Sequence, residues 1–533
     1  MSDNEKPRWD PVDIMVLRRG EVSLPLPCLF LAFQPMEFDN TVLGTGGVIM
    51  SSWFSKVSAV AYAAETTERP NILWIIAEDC CPDMGCYGNP IVKTPNIDKL
   101  ASEGARFNNA FMSAPVCSPA RSALMTGMYQ TSIGAHHHRS HRDDGYTLPE
   151  PVKVITEYFR AAGYYTSNCA GLNWTRPGKT DFNFTMRRKP FDGTDWKDRK
   201  PGQPFFAQVN IEESHRPFTK DHENPIAPDT VKVPPYYPDH PVSRQDWANY
   251  LEAIQVLDRK VGVVLQRLKD EGLYDNTIVF FFCDNGRPFP RGKGFLYDGG
   301  IRVPLIIRWP GHIKPGIVVD DLVSAIDFAP TCLSLAGIEP PSHMQGQIFL
   351  GDKAKKREYI VAARDRIDET WERIRCIRTK DFKYIRNFMP NLPYTQSNIY
   401  RIAMHPILTL MQVLYVEGKL TPEQERLMAP NKPAEELYDL SNDPDELHNM
   451  AEDPKYRTVL EEMRNKLDTW MKETKDQGDI PEDPQIAVKW YLANVPHLKV
   501  KVMKDRGLDP NPNPKEYLEY WERTLKPTPA RSR

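Results

Sequence analysis

Asn71-Ile-Leu-Trp-Ile-Ile-Ala77, followed at once by Glu78-Asp79, is the stretch on which the fold turns. It is a continuous apolar run with no polar alternation, as a strand covered on both faces of a parallel sheet requires. A second run of this kind, Thr277-Ile-Val-Phe-Phe-Phe-Cys283, ends in Asp284-Asn285-Gly286, and a third, Phe205-Phe-Ala-Gln-Val-Asn210, precedes Ser214-His215-Arg216-Pro217. Helical patterns lie between them. Thr94-Pro95 opens a helix that runs through Leu100 and stops at Gly104. Ser243-x-x-Asp246 starts a long one, with Trp247, Leu251, Ile254, Val261, Leu265 and Leu268 on one stripe, ending at Gly272. This alternation predicts an α/β fold over residues 70–350: a large mixed, mostly parallel sheet sandwiched by helices.

Outward from there the pattern changes. Tyr359-Ile-Val-Ala362, Ile374-Arg-Cys-Ile377 and Phe382-Lys-Tyr-Ile385 are short strands joined by charged turns. Asp453-Pro454 then opens a helix with Val459, Leu460, Met463, Leu467, Trp470 and Met471 on one face. Residues 351–485 therefore read as a smaller α+β domain, an antiparallel sheet packed against one long helix. Residues 391–433 read as irregular with a helical patch near Ile407 to Tyr415, and 486–533 as a C-terminal tail. The segment Asp439-x-Ser441-x-Asp443 begins like an EF-hand loop, but Pro444 stands where that loop needs Gly, so it reads as a turn. Residues 1–69 read as an N-terminal extension or signal-like segment. The small, apolar stretch Thr41 to Ala64 is interrupted by Lys56 and closes in Ala61-Tyr62-Ala63-Ala64, like an A-x-A cleavage site, which points to a periplasmic or secreted protein. No later stretch reaches about 18 uncharged apolar residues, so no stable membrane insertion is expected.

Composition narrows the function. The 533 residues carry 68 Lys+Arg against 71 Asp+Glu, a net charge of −3, which argues against a protein held by nucleic-acid phosphates. Nine cysteines are too few and too scattered for a disulfide scaffold, and Cys80-Cys81-x4-Cys86 has no second pair at zinc-ribbon spacing. Oxygen donors are better placed. Glu78-Asp79 and Asp284-Asn285 each follow a buried strand, and ligands in open α/β sheets gather at the carboxyl ends of strands. These four side chains can therefore converge although 205 positions separate Asp79 from Asp284. An all-oxygen set suits Ca²⁺ or Mg²⁺ better than zinc. Between the two pairs, Pro119 of Cys117-Ser118-Pro119-Ala120-Arg121 places Cys117 at a helix N-terminus, where free N–H groups favour an anion. Arg121, four residues on, offers a planar fork to a tetrahedral oxyanion.

In this order, these elements resemble the type I sulfatases of the alkaline-phosphatase superfamily, from Pro70 to about Asp476. The family's C-x-P-x-R signature stands here as Cys117, Pro119 and Arg121, with Thr126-Gly127 behind it. The acid pair after the first strand, Asp284-Asn285-Gly286, Pro288-Phe-Pro-Arg-Gly-Lys293, and Glu436-Leu-Tyr-Asp-Leu440 with its following turn also fall in family order. The resemblance implies an alkaline-phosphatase-like fold and a hydrolase for sulfated carbohydrates. It implies that a separate maturase oxidises Cys117 to formylglycine, whose hydrate is the nucleophile. Glu78, Asp79, Asp284 and Asn285 would hold a cation, Ca²⁺ before Mg²⁺. Arg121 and Lys293 would bind sulfate oxygens, and His215 would protonate the leaving group. Pro288-Phe-Pro-x-Gly-Lys293 and the long insertion before Glu436 look most like the heparan N-sulfatases, which act on N-sulfoglucosamine.

The chain departs from the family in two places. Glu78 stands where Asp is usual, and the common Lys-x-His element has only Lys179-Thr-Asp181 as its nearest match. The missing base is expected either at Lys179 or among His136-His137-His138, with His137 taken as the representative; the run of three could equally be a solvated loop. Two rival readings are a two-zinc phosphatase or phosphodiesterase of the same superfamily, and a sugar-binding relative in which Cys117 stays a thiol.

Overall fold

A computed structural model describes residues 69–138, 145–480 and 482–529; the signal-like stretch Thr41–Ala64 lies outside them. The first sheet has eight strands: β1 (Asn71–Ala77), β2 (Ala105–Phe111), β3 (Tyr165–Ala170), β4 (Asn173–Pro177), β5 (Phe205–Ile211), β6 (Thr277–Cys283), β7 (Arg302–Arg308) and β8 (Ile317–Ser324). Their order is β4-β3-β5-β1-β6-β7-β2-β8. The central strands β3, β5, β1 and β6 run parallel, β2 and β8 pair parallel, and β4 and β7 are antiparallel to their neighbours. Every residue of β1, β5 and β6 is buried, as their unbroken apolar runs require. On one face Trp74 packs edge-on against Phe206 of β5 and Phe282 of β6, with ring centroids 5.0 and 5.5 Å away. Phe328, from the helix Phe328–Leu335, closes over the same ring.

The register of this core positions everything that follows. Ala77 lies level with both Ile211 and Cys283, so the chains leaving β1, β5 and β6 emerge side by side at one edge. Backbone bonds continue the alignment past the strand ends: Glu78 N–H donates to the Ile211 carbonyl, Asp284 N–H to that of Ala77, and Cys80 N–H to that of Asn285, each at 3.1 Å. A disulfide joins Cys80 to Cys283, a pairing not anticipated from the sequence. The partner was 203 positions away and only the sheet register brings it close. Because the bond closes a loop of that length, Cys283→Ala is expected to lower stability by about 2–5 kcal/mol. Denaturant midpoints under oxidising conditions report this, and equal midpoints would mean that the bond adds nothing.

The second sheet joins β9 (Ile360–Arg364), β10 (Ile374–Arg378), β11 (Phe382–Asn387) and β12 (Glu435–Asp439), ordered β12-β11-β10-β9 and antiparallel throughout. The helix Arg457–Thr474 lays Leu460, Met463, Leu467 and Trp470 on Val361, Ile377, Tyr384 and Leu437 of that sheet. After β12, Ser441 N–H bonds to Asp439 Oδ1 and Leu447 N–H to Asp443 Oδ1, so the EF-like segment is a turn. Two stretches are more regular than their sequence led us to expect. The helical patch near Ile407 to Tyr415 is the helix Pro406–Val416, and residues 391–433 add two more, Ile399–Met404 and Pro422–Met428, because Asn398 and Thr421 cap their starts and Pro422 occupies a first helical position. The presumed tail holds Pro484–Asp505 and Pro514–Thr524, capped by Asp483 and Asn513. Leu518 of the second packs with Leu410 and Val413. Among the described residues no helix is long and apolar enough to cross a membrane.

Candidate active site

The helix Cys117–Thr126 aims its N-terminus at the common edge of β1, β5 and β6. Val116 is extended, Pro119 fits the first turn without losing a bond, and Gly127 ends the helix in the left-handed region at φ 66°. All ten of its residues are buried. Ser122 and Thr126 satisfy their hydroxyls on the carbonyls of Ser118 and Ser122, at 2.7 and 2.8 Å, so burial costs them little. Cys117 Sγ lies 3.3 Å from Asn285 Oδ1 and 4.0 Å from Asp79 Oδ1. Ligating atoms of Asp79, Cys117 and Asp284 all fall within 4.8 Å of one another. Of the four side chains expected to converge at the strand ends, Asp79 and Asp284 fall in this group and Asn285 lies beside Cys117, whereas Glu78 is outside it and faces Lys179 and Arg121. Asp79 itself turns the chain out of β1 in the left-handed region, at φ 54°, a conformation Asp tolerates better than most residues.

Each carboxylate of the cluster meets a cation. Lys293 Nζ donates to both oxygens of Asp79 at 2.8 Å, Arg121 Nε to Asp284 Oδ2 at 2.8 Å, and Lys179 Nζ to Glu78 Oε2 at 2.9 Å. Arg121 Nη2 stands 3.6 Å from Glu78 Oε1 and, although buried, has no hydrogen-bond acceptor. Three negative and three positive groups thus balance. Burial works against ionisation of Asp284, yet Arg121, Lys179 and Lys293 outweigh it and hold the carboxyl down at about 2. Burial pushes the Cys117 thiol up to about 12, with Lys179 and Lys293 pulling it back and Asp284 and Asp79 adding to the rise. The unmodified side chain is therefore a neutral thiol at pH 7 rather than a thiolate. The donor set fits a hard divalent ion: Asp79, Asp284 and Asn285 are fully buried and can supply carboxylate and amide oxygens. Such an ion would leave the balanced cluster positive, and the uncommitted donor of Arg121 adds to its preference for an anion.

Other predicted residues are placed as follows. His215 Nε2 stands 3.6 Å from Asp79 Oδ2, while Nδ1 lies 2.7 Å from the Arg216 carbonyl, a geometry that assigns the proton to Nδ1 and turns Nε2 to the site. Arg216 is fixed in turn by two bonds to Asp246, at 2.8 and 2.7 Å. Asp181, at the position of the family's missing His, is 3.9 Å from Lys179 Nζ. His137 does not join the cluster: its ring lies 4.2 Å from that of His136, in the field of Glu482 and Asp365. Of the three histidines it is His138 that touches the signature helix, with Nδ1 2.9 Å from Ser118 Oγ.

Two participants were not singled out in the sequence. Asn210 accepts from Arg121 Nη1 at 2.6 Å and donates to Asn168 at 2.6 Å. Its signal was present, an amide inside an otherwise apolar buried strand. Tyr400 gave none; its ring lies 5.5 Å from Lys293 Nζ and 6.0 Å from the His215 ring, on a helix within the stretch read as irregular.

The displaced His137 carries its own consequence. Burial, then the charge of His136, push its imidazole down to about 4, against the pull of Glu482 and Asp365. A group that takes a proton near pH 6.5 when unfolded but resists it when folded costs stability as pH falls from about 6.5 toward 4, and nothing above that window. His137→Asn is expected to remove about 2 kcal/mol of the loss between pH 7 and pH 5. Urea midpoints at the two values measure it, and equal losses in both chains would clear His137 of the effect.

The sulfatase family model matches residues 70–338, half of the chain and every residue placed in the cluster. The chain belongs to the sulfatase family. A second model, for the C-terminal part of N-sulphoglucosamine sulphohydrolase, matches residues 291–406 of this sulfatase. It is 36% identical over 478 residues to an ulvan-active sulfatase of Formosa agariphila, covering 80% of this chain and 79% of that one. To the N-sulphoglucosamine sulphohydrolase of Homo sapiens it is 28% identical over 464 residues, covering 76% and 91%. A solved structure bound to its substrate D-glucosamine-2-N,6-O-disulfate shares the sulfatase's fold, with a TM-score of 0.56 at 19% identity, covering 78% of this chain and all of that one.

Proposed function

We propose that this sulfatase removes sulfate from a sulfated carbohydrate, of the N-sulfoglucosamine type, with formylglycine at position 117 and one divalent cation. The observation that carries the reading is the meeting of Cys117, Asp79, Asp284, Asn285, Arg121 and Lys293 at one buried edge. The relatives that act on ulvan and N-sulphoglucosamine support the substrate class. Glu78, Asp79, Asp284 and Asn285 would hold the cation, Ca²⁺ before Mg²⁺, which supplies neutralisation of sulfate charge. Formylglycine, made from Cys117 by a maturase, supplies in its hydrate the hydroxyls that a thiol lacks. The chain's own groups do the rest. Arg121 and Lys293 grip sulfate oxygens and stabilise charge as it shifts toward the leaving group. His215 would give a proton from Nε2 to the leaving oxygen or nitrogen, which requires the ring to carry a second proton while Nδ1–H stays on the Arg216 carbonyl, and Lys179, tied to Glu78, keeps the site cationic on the far side.

The two-zinc phosphatase reading finds less support, since among the described residues the one group of three ligating side chains contains no His. A periplasmic or secreted location rests on the signal-like segment ending near Ala64. The test is hydrolysis of N-sulfoglucosamine beside 6-O-sulfated sugars by protein made with a maturase, with peptide mass spectrometry at residue 117. Activity on the O-sulfated set alone would remove the N-sulfatase reading, and full activity with an intact thiol would remove formylglycine. Chelation is expected to lower activity at least tenfold, with recovery on adding Ca²⁺; an unchanged rate in chelator would overturn the cation's role.

A further inference from the structure

Among the described residues, the buried arginines are, with one exception, tied to acceptors. Arg216 bonds to Asp246, Arg366 to Glu482, and Arg375 to Asp365 and Asp476. The exception is a pair. Arg364, at the end of β9, is 1% exposed and Arg401, on the helix Ile399–Met404, is 5% exposed. Both guanidiniums lie over the ring of Phe295, at 5.5 and 4.7 Å. Nε and Nη1 of Arg364 and Nη1 of Arg401 are buried with no hydrogen-bond partner, and neither residue forms an ion pair with any described residue. Arg364 has one bond, a long one of 3.5 Å from Nη2 to Thr370 Oγ1. Two like charges removed from water beside one ring are costly unless an anion joins them. Burial and the neighbouring Arg364 push the Arg401 guanidinium down to about 9, against the pull of Glu369, Asp368 and Glu372.

Its place in the fold links this pair to the catalytic edge. Gly294 follows Lys293 at φ +87°, and a Cβ there would come within 2.7 Å of Arg401 Nη2, so the guanidinium lies directly against the backbone that carries Lys293. On the other side, Arg401 follows Tyr400, whose buried hydroxyl also lacks a partner and whose ring faces Lys293 and His215. His405 is 1% exposed, with both ring nitrogens unpartnered and its ring 5.3 Å from that of Tyr400. We propose that Arg364 and Arg401 form a second anion subsite beside the sulfate-cleaving cluster, taking a second negatively charged group. That group comes from the substrate sugar, a carboxylate or a second sulfate, or from a free inorganic anion. The substrate source rests on the function proposed above; binding of an anion does not.

The test uses the full chain, matured at residue 117, and Arg401→Met, which removes the charge and keeps an apolar filler over Phe295. In the first arm, sodium sulfate and sodium chloride are titrated against sodium gluconate at fixed ionic strength while thermal midpoints are read. The parent is expected to gain several degrees more than R401M, and R401M to be the more stable chain in gluconate alone, because an unpaired buried charge has been removed. Identical gains in both chains would place the anion at Arg121 and Lys293 and overturn the proposal. In the second arm, a saccharide with one sulfate is compared with one bearing an added carboxylate or sulfate. A rise in KM of about tenfold for the doubly charged substrate only, with kcat held, assigns the subsite to the sugar. Unchanged KM values with the midpoint difference intact assign it to a free anion. Arg401→Lys, which keeps the charge, is expected to recover most of the midpoint gain, whereas a purely structural role for the guanidinium would give none.

Discussion

Replacing Cys117 with alanine is expected to lower kcat by about 10⁴-fold or more while the chain folds as before, in line with the loss of a nucleophile elsewhere. The size follows from the site's composition. Cys117 is the thiol that touches the oxygen cluster, through Asn285 and Asp79, whereas the nearby Ser214 hydroxyl is engaged by the Glu78 carbonyl. Stability should change little, because the substitution removes a single sulfur from a position whose bonds are weak. Steady-state hydrolysis with circular dichroism as the folding control decides it. A variant keeping more than about a hundredth of the parent rate would mean that chemistry does not pass through residue 117.

Arg121→Ala is expected to damage stability and activity together. The guanidinium bonds to Asp284 at 2.8 Å, to Asn210 at 2.6 Å and to the Lys179 carbonyl at 3.3 Å. Its removal leaves the fully buried Asp284 without its nearest partner, a loss of about 3–5 kcal/mol, and takes a donor from the sulfate, about 10²–10³-fold in kcat/KM. The stability part depends on pH in a definite direction. Asp284 is held near 2, below its ordinary 3.8, so its contribution is present above pH 4 and fades as pH falls toward 2. The gap between parent and variant should therefore be widest at neutral pH and narrow in acid. Arg121→Lys restores a charge without the fork, and is expected to recover more stability than activity. A gap that stays constant from pH 7 to pH 3 would show that Asp284 is not what Arg121 holds.

The parts of this site that were legible in the sequence share one cause. β1 and β6 are buried on both faces, so their first polar residues, Glu78-Asp79 and Asp284-Asn285, mark the strand ends without ambiguity, and a parallel sheet gathers such ends. What was not legible depends on contacts that no local pattern encodes. Cys80 and Cys283 become neighbours only through the level register of Ala77 with Cys283. In His136-His137-His138 three identical residues compete for one role, and backbone direction alone gives the contact with Ser118 to His138. The helix carrying Tyr400 and Arg401 is 6 residues long, too short for periodicity to reveal, and owes its start to the cap at Asn398.

One feature bears on how such a protein must be made. Residue 117 is 2% exposed, on a helix enclosed along its whole length, beneath a sheet edge cross-linked at Cys80 and Cys283. At that exposure the side chain offers a second protein almost no surface in the folded chain. Any enzyme that rewrites the thiol has to meet it on a nascent or still extended polypeptide, so the timing of chemistry relative to collapse, rather than catalytic equipment alone, sets what fraction of molecules ever becomes competent.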